Sequence, residues 1–131
     1  EGEAEALVRK ALRRQYDPAL VELYGRLRGA DSGQQLHEAE QWLKAHPDDP
    51  LLLRTLARIS IRHQLWGKAR DYYEASLGLR RDPHTCAELA RLLAQLGEEE
   101  RSSQLFQEGL GLLDADELSG RRGDVLPSGR T

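Results

Sequence analysis

Apolar positions along the chain recur in short groups at helical spacing, and the groups themselves repeat. From about Glu3 to Tyr16, residues Ala4, Leu7, Val8, Ala11 and Leu12 fall on one face while Arg and Lys occupy the rest, which predicts an amphipathic helix. Three Asp-Pro dipeptides follow, Asp17-Pro18, Asp49-Pro50 and Asp82-Pro83, spaced 32 and 33 residues apart. Counted from each proline, the fourth, seventh and eighth positions read Val21, Tyr24, Gly25, then Leu53, Leu56, Ala57, then Cys86, Leu89, Ala90. Large, large, small at this period is the pattern of packed helix pairs, in which each pair buries its apolar face only against its neighbours. The fold expected is an all-α solenoid of about three helical hairpins plus a leading helix over 3–16.

Each Asp-Pro junction is a predicted helix start, because proline's missing N–H is harmless in the first turn and the preceding Asp can cap exposed N–H groups. The first hairpin, near 18–49, pairs a helix bearing Leu20, Val21, Leu23, Tyr24 and Leu27 with one from about Gln34 to Ala45, across the loop Gly29 to Gly33. The second, near 50–82, pairs Pro50 to His63 with Trp66 to Leu79, where Ala69, Tyr73 and Ser76 form a small-large-small stripe. The third, near 83–113, pairs Pro83 to Leu96 with Glu98 to Leu113, filled by Ser102, Leu105, Phe106, Gly109 and Leu113. The repeat domain thus spans 1–113. Residues 114–131 lose the periodic face and are expected to form a disordered tail.

Composition narrows the function classes. With 39% hydrophobic and 31% charged residues and a single Phe, the 131-residue chain suits soluble helices. A formal charge of −3 argues against nucleic acid as a partner. No apolar run reaches the roughly 20 residues that cross a bilayer. The chain has no Met and opens inside a predicted helix, so a longer parent with an N-terminal membrane anchor is expected. Cys86 is the single cysteine, which leaves no internal disulfide and no Cys/His zinc framework.

The pattern resembles the tetratricopeptide repeat. Leu53-x-x-Leu56-Ala57 with Ala69, Tyr73 and Ser76 matches it best; Cys86-x-x-Leu89-Ala90 with Ser102, Phe106 and Gly109 matches in weaker form; the first unit departs, with Glu40 where the second helix usually has an aromatic. A narrower resemblance lies in Leu12-Arg13-Arg14-Gln15-Tyr16-Asp17-Pro18-Ala19-Leu20-Val21, Pro50-Leu51-Leu52-Leu53 and Leu65-Trp66-Gly67-Lys68-Ala69. These stretches look like the C-terminal repeats of the HemY family. That resemblance implies a protein of the bacterial inner membrane, its soluble domain on the cytoplasmic face, that scaffolds enzymes of late haem (protohaem IX) biosynthesis. It supplies no catalytic residues, and no enzyme activity or cofactor is expected.

Position nine from each proline is Arg26, Arg58 and Arg91, with Arg54 and Arg62 one turn either side of Arg58. In stacked repeats the equivalent positions line a concave groove, and guanidinium forks suit carboxylates. These five arginines are the expected partner-binding groove, for an acidic peptide or a C-terminal carboxylate; the plainer reading is a solvated face paired with Glu22 and Glu88. His37, His46, His63 and His84 have no metal-ligand spacing, so no metal site is expected. Cys86 and Trp66 are read as packing residues, and Trp42 as either core or partner anchor.

A scaffold for haem-pathway enzymes is therefore the leading expectation. A generic peptide-binding adaptor in another envelope assembly and a tetrapyrrole-binding carrier are the alternatives. Leu7, Val8 and Leu12, expected to be exposed at an open solenoid end, also point to homodimerisation there.

Overall fold

The computed structural model describes residues 2–27 and 32–125, with side chains to Leu118. Among them are seven helices and no strand: α1 (Gly2–Arg14), α2 (Pro18–Arg26), α3 (Ser32–Ala45), α4 (Pro50–Arg62), α5 (Trp66–Leu79), α6 (Pro83–Gln95) and α7 (Glu99–Val125). They fall into two compact units, Glu1–Arg80 and Arg81–Thr131. No described helix is long and apolar enough to cross a membrane.

The three Asp-Pro junctions begin helices as expected. Asp17 accepts a hydrogen bond from the Ala19 amide at 2.8 Å, Asp49 from Leu51 at 3.0 Å, and Asp82 from His84 at 2.7 Å and Thr85 at 3.3 Å. Each Asp has extended backbone dihedrals and each proline occupies the first turn. Four amides that the helices themselves cannot pair are thereby satisfied.

In the first unit α4 is the shared element, packed against α2, α3 and α5. That explains its sequence: Leu52, Leu53, Thr55, Leu56, Ala57, Ile59 and Ser60 are all buried, an apolar surface far wider than a helix with one covered face requires. Val21, Tyr24, Leu36, Ala39, Leu52, Leu56 and Ile59 form one core with Leu12 of α1. The Tyr24 and Trp42 rings meet edge to face at 4.9 Å, which assigns Trp42 to packing. On α5, Ala69, Tyr73 and Ser76 are buried, and the Ser76 hydroxyl donates to the Pro50 carbonyl at 2.8 Å.

Close approach of α2 to α4 depends on Gly25. A Cβ there would lie 2.9 Å from Thr55 Cγ2, and Thr55 is held in place by its own hydroxyl, which donates to the Val21 carbonyl at 3.1 Å. In the second unit α6 packs on α7, Cys86, Leu89, Ala90 and Leu105 are buried, and the Ser102 hydroxyl donates to the Ala90 carbonyl at 2.6 Å. Burial raises the Cys86 thiol above its ordinary pKa, in keeping with a packing residue.

Four expectations change. On α1, Leu7 is exposed as expected but Leu12 is buried and Val8 packs on the core, because α2 and α3 supply apolar partners there; Glu5 is buried too, its carboxylate accepting from the Tyr24 hydroxyl and from Arg9. Trp66 is 38% exposed: it stands in the first turn of α5, where no preceding turn shields its ring. Phe106 and Leu113 are exposed as well, since α7 turns the 102, 105 and 109 side inward and the neighbouring stripe outward. Finally, α7 continues past 113 to Val125, because Asp114 to Leu118 contains no helix breaker. Residues 126–131 of the expected tail, and most of the 29–33 loop, lie outside the described residues.

Gly25→Val is expected to lower unfolding free energy by about 2 kcal/mol, through overpacking against Thr55; urea denaturation measures it. Gln64 has φ of 59°, whereas the equivalent junction one repeat later has Gly97 at 86°. Left-handed backbone costs a non-glycine residue about 1 kcal/mol, so Gln64→Gly should raise stability by about that amount in the same assay.

Candidate protein-interaction surface

The register of α2 against α4 brings three arginines to one carboxylate. Glu22 pairs with Arg54 at 3.2 Å, with Arg26 at 3.3 Å and with Arg58 at 3.5 Å. Arg26 reaches it along α2 at i,i+4, whereas Arg54 and Arg58 come from α4, one repeat later. Burial alone would push the Glu22 carboxyl up; Arg54 foremost, with Arg26 and Arg58, outweighs that and holds it below its ordinary value.

The three guanidiniums differ in access. The Arg54 side chain is only 6% exposed, Arg58 is half-buried, and Arg26 projects into solvent. Arg62 has a different duty. It donates to the Leu27 carbonyl at 2.6 Å and to the Gly25 carbonyl at 2.5 Å, while Gln35 of α3 donates to Tyr24 and Leu27 at 3.1 and 2.9 Å. These carbonyls lie at the end of α2, where that of Tyr24 also accepts the Leu27 amide, and a cation there complements the helix dipole. Arg91 lies on α6 in the second unit, exposed. Of the five groove arginines, the structure thus gathers Arg26, Arg54 and Arg58 on Glu22 and commits Arg62 to holding the end of α2.

Several polar contacts went unread in the sequence. Tyr16 donates to Asp49 at 2.6 Å while its ring stacks on His46 at 3.6 Å, and Tyr72 donates to Glu40 at 2.6 Å beside Lys68 at 2.8 Å. Burial, then the adjoining carboxylate, raises both tyrosine hydroxyls above their ordinary pKa. The signal that would have found them is the repeat period itself: Tyr16 and Asp49 are 33 residues apart, Glu40 and Tyr72 32, and Glu22 and Arg54 32. Glu40, the odd residue of the first unit, is the acceptor for the unit that follows. Among the described residues no group of three His, Cys, Asp or Glu side chains is arranged to hold a metal ion.

Helix pairs started by Asp-Pro, with small residues at the crossings and the groups that meet one period apart, define a tetratricopeptide-repeat protein of the all-α solenoid class. A solved structure titled MamA MSR-1 C2 shares the fold, with a TM-score of 0.65 at 14% identity, over 87% of this chain and 68% of that one. No family model matches the chain. The chain resembles HemY: it is 31% identical to Protein HemY of Escherichia coli (strain K12) and of Shigella flexneri over 109 residues, 83% of this chain. It spans about a quarter of those proteins, 27% of their length. Mouse tetratricopeptide repeat protein 21B is 32% identical over 80 residues, 61% of this chain and 6% of its own length.

Glu22 has a lowered pKa when folded, so its ion pairs add stability above the unfolded carboxyl value of 4.5, and that stability is lost as pH falls through the lower folded value. Glu22→Gln should therefore flatten the acid limb of stability below about pH 4.5. Thermal unfolding of both proteins across that range measures it.

Proposed function

We propose that this domain is a protein-interaction module of a HemY-like scaffold in haem biosynthesis, held at the bacterial inner membrane with the domain on the cytoplasmic face. Its partners in this reading are enzymes of the late haem pathway, recognised through an acidic segment or a C-terminal carboxylate. The observation that supports the recognition mode is the convergence of Arg26, Arg54 and Arg58 on Glu22. Guanidiniums arranged to hold one carboxylate are arranged to hold another, and an incoming acid meets solvent-facing Arg26 first. The resemblance to HemY supports the pathway. In this reading Arg91 is the equivalent exposed arginine of the second unit.

Arg26, Arg58 and Arg91 are the positions for a clean test, because Arg54 is buried and its loss would damage packing as well as charge. Affinity capture from the native cells, with bound proteins identified by mass spectrometry, should recover haem-pathway enzymes with the wild-type protein. The Arg26/Arg58/Arg91 triple Ala variant should lose them while its helical content is unchanged. Recovery of unrelated envelope proteins would move the chain to a different assembly, and undiminished capture by the variant would remove the arginines from recognition.

A further inference from the structure

Glu22 holds its three arginines loosely. Arg54 Nη2, Arg26 Nη2 and Arg58 Nη1 all approach the same oxygen, Oε2, at 3.2, 3.3 and 3.5 Å. A well-formed pair of guanidinium and carboxylate closes to about 2.7–2.9 Å and spreads over both oxygens. Arg13, in the same unit, spans both oxygens of Glu38 at 3.1 and 3.2 Å, and Lys68 closes on Glu40 to 2.8 Å. The cause is the tether. From its place on α2, Glu22 reaches toward Arg26 one turn along its own helix and toward two arginines of α4 at once, and one oxygen serves all three.

Depth is graded across the site. Arg26 is 67% exposed and Arg58 half-buried, whereas Arg54 is buried. A buried cation left without an anion is costly, so the position beside Arg54 has to be held by a carboxylate. Nothing in the geometry requires that carboxylate to belong to Glu22, whose side chain is 31% exposed and has water to turn into. An untethered carboxylate arriving past Arg26 can present both of its oxygens to the guanidiniums, and Arg54 keeps an anion throughout the exchange.

We propose that Glu22 is a built-in competitor for the acid-binding site: an incoming carboxylate takes the place of its Oε2 among Arg26, Arg54 and Arg58, and Glu22 turns out into water. This rests on the reading of these arginines as a surface for acidic groups and adds how that surface is regulated. Tethered to α2, Glu22 acts at an effective concentration that a single acidic side chain in solution does not reach. The site therefore rejects isolated acids and admits a segment with several adjacent carboxylates, so Glu22 sets the selectivity as well as the affinity.

Fluorescence anisotropy on the full chain tests it, with a labelled Ser-Gly peptide ending in Asp-Glu-Glu and a free C-terminal carboxylate, beside the same peptide ending in an amidated Asn-Gln-Gln. Glu22→Gln should bind the acidic peptide about tenfold more tightly than the wild type, the gain expected when the form with Glu22 turned out is about a tenth of the population. Glu38→Gln makes the same change in net charge away from the cluster and should alter affinity by less than about twofold. In the wild type, saturating acidic peptide should move the NMR resonance of the Glu22 carboxyl carbon to that of a solvated glutamate. Unchanged circular dichroism verifies that the variants are folded. If the wild type binds the acidic peptide, loses it in the Arg26/Arg58 double Ala variant, and Glu22→Gln binds no more tightly, Glu22 organises the arginines and this proposal alone falls. If neither the wild type nor Glu22→Gln prefers the acidic peptide to the neutral one, the reading of the arginines falls and takes this proposal with it. Equal tightening in Glu38→Gln, or a Glu22 resonance that stays in place in the saturated complex, overturns the exchange as well.

Discussion

The approach of α2 to α4 is the contact on which the first unit depends. It is possible because Gly25 lacks a side chain where Thr55 stands, and because Thr55 turns its hydroxyl to the Val21 carbonyl. At that separation Glu22 comes within reach of Arg54 and Arg58, and Arg62 within reach of the carbonyls at the end of α2. A wider spacing would lengthen all of these contacts together. The electrostatics of the candidate surface therefore follow from a packing decision, made at one small residue on one helix.

Polar contacts one period apart give that packing its register. Burial of Leu52, Leu56 and Ile59 is non-directional and tolerates sliding, but a hydrogen bond from Tyr16 to Asp49, or from Tyr72 to Glu40, has a narrow range of lengths and angles. Asp49 serves twice, with one oxygen on the Leu51 amide that starts α4 and the other on Tyr16. Helix initiation and repeat-to-repeat alignment thus share a side chain. Buried Glu5 is satisfied in the same way, by Tyr24 and Arg9, and fixes which side of α1 faces the core.

Function in this class of protein resides in surfaces, and the chain has two kinds. One is charged, with Arg26, Arg54 and Arg58 organised around the Glu22 carboxylate. The other is apolar, the outward stripe of α7 that holds Phe106 and Leu113. Repeat folds leave such faces because each unit is covered only by the next one in line.

Helix positions, helix starts and the repeat class were legible in the sequence because their causes are local. Asp before Pro caps the turn that follows it, and a spacing of 32 or 33 residues needs no partner to be recognised. The small residues Gly25 and Ala57 and the stripe of Ala69, Tyr73 and Ser76 were legible for the same reason. Tertiary structure alone decided that Glu5 and Leu12 go inside, that Trp66 and Phe106 face solvent, and that Arg62 holds backbone carbonyls. It also drew Arg26, Arg54 and Arg58 to a single carboxylate. An amphipathic pattern states how much of a helix is apolar but leaves its rotation uncertain by about a third of a turn, and a polar side chain is buried only where another element supplies its partner.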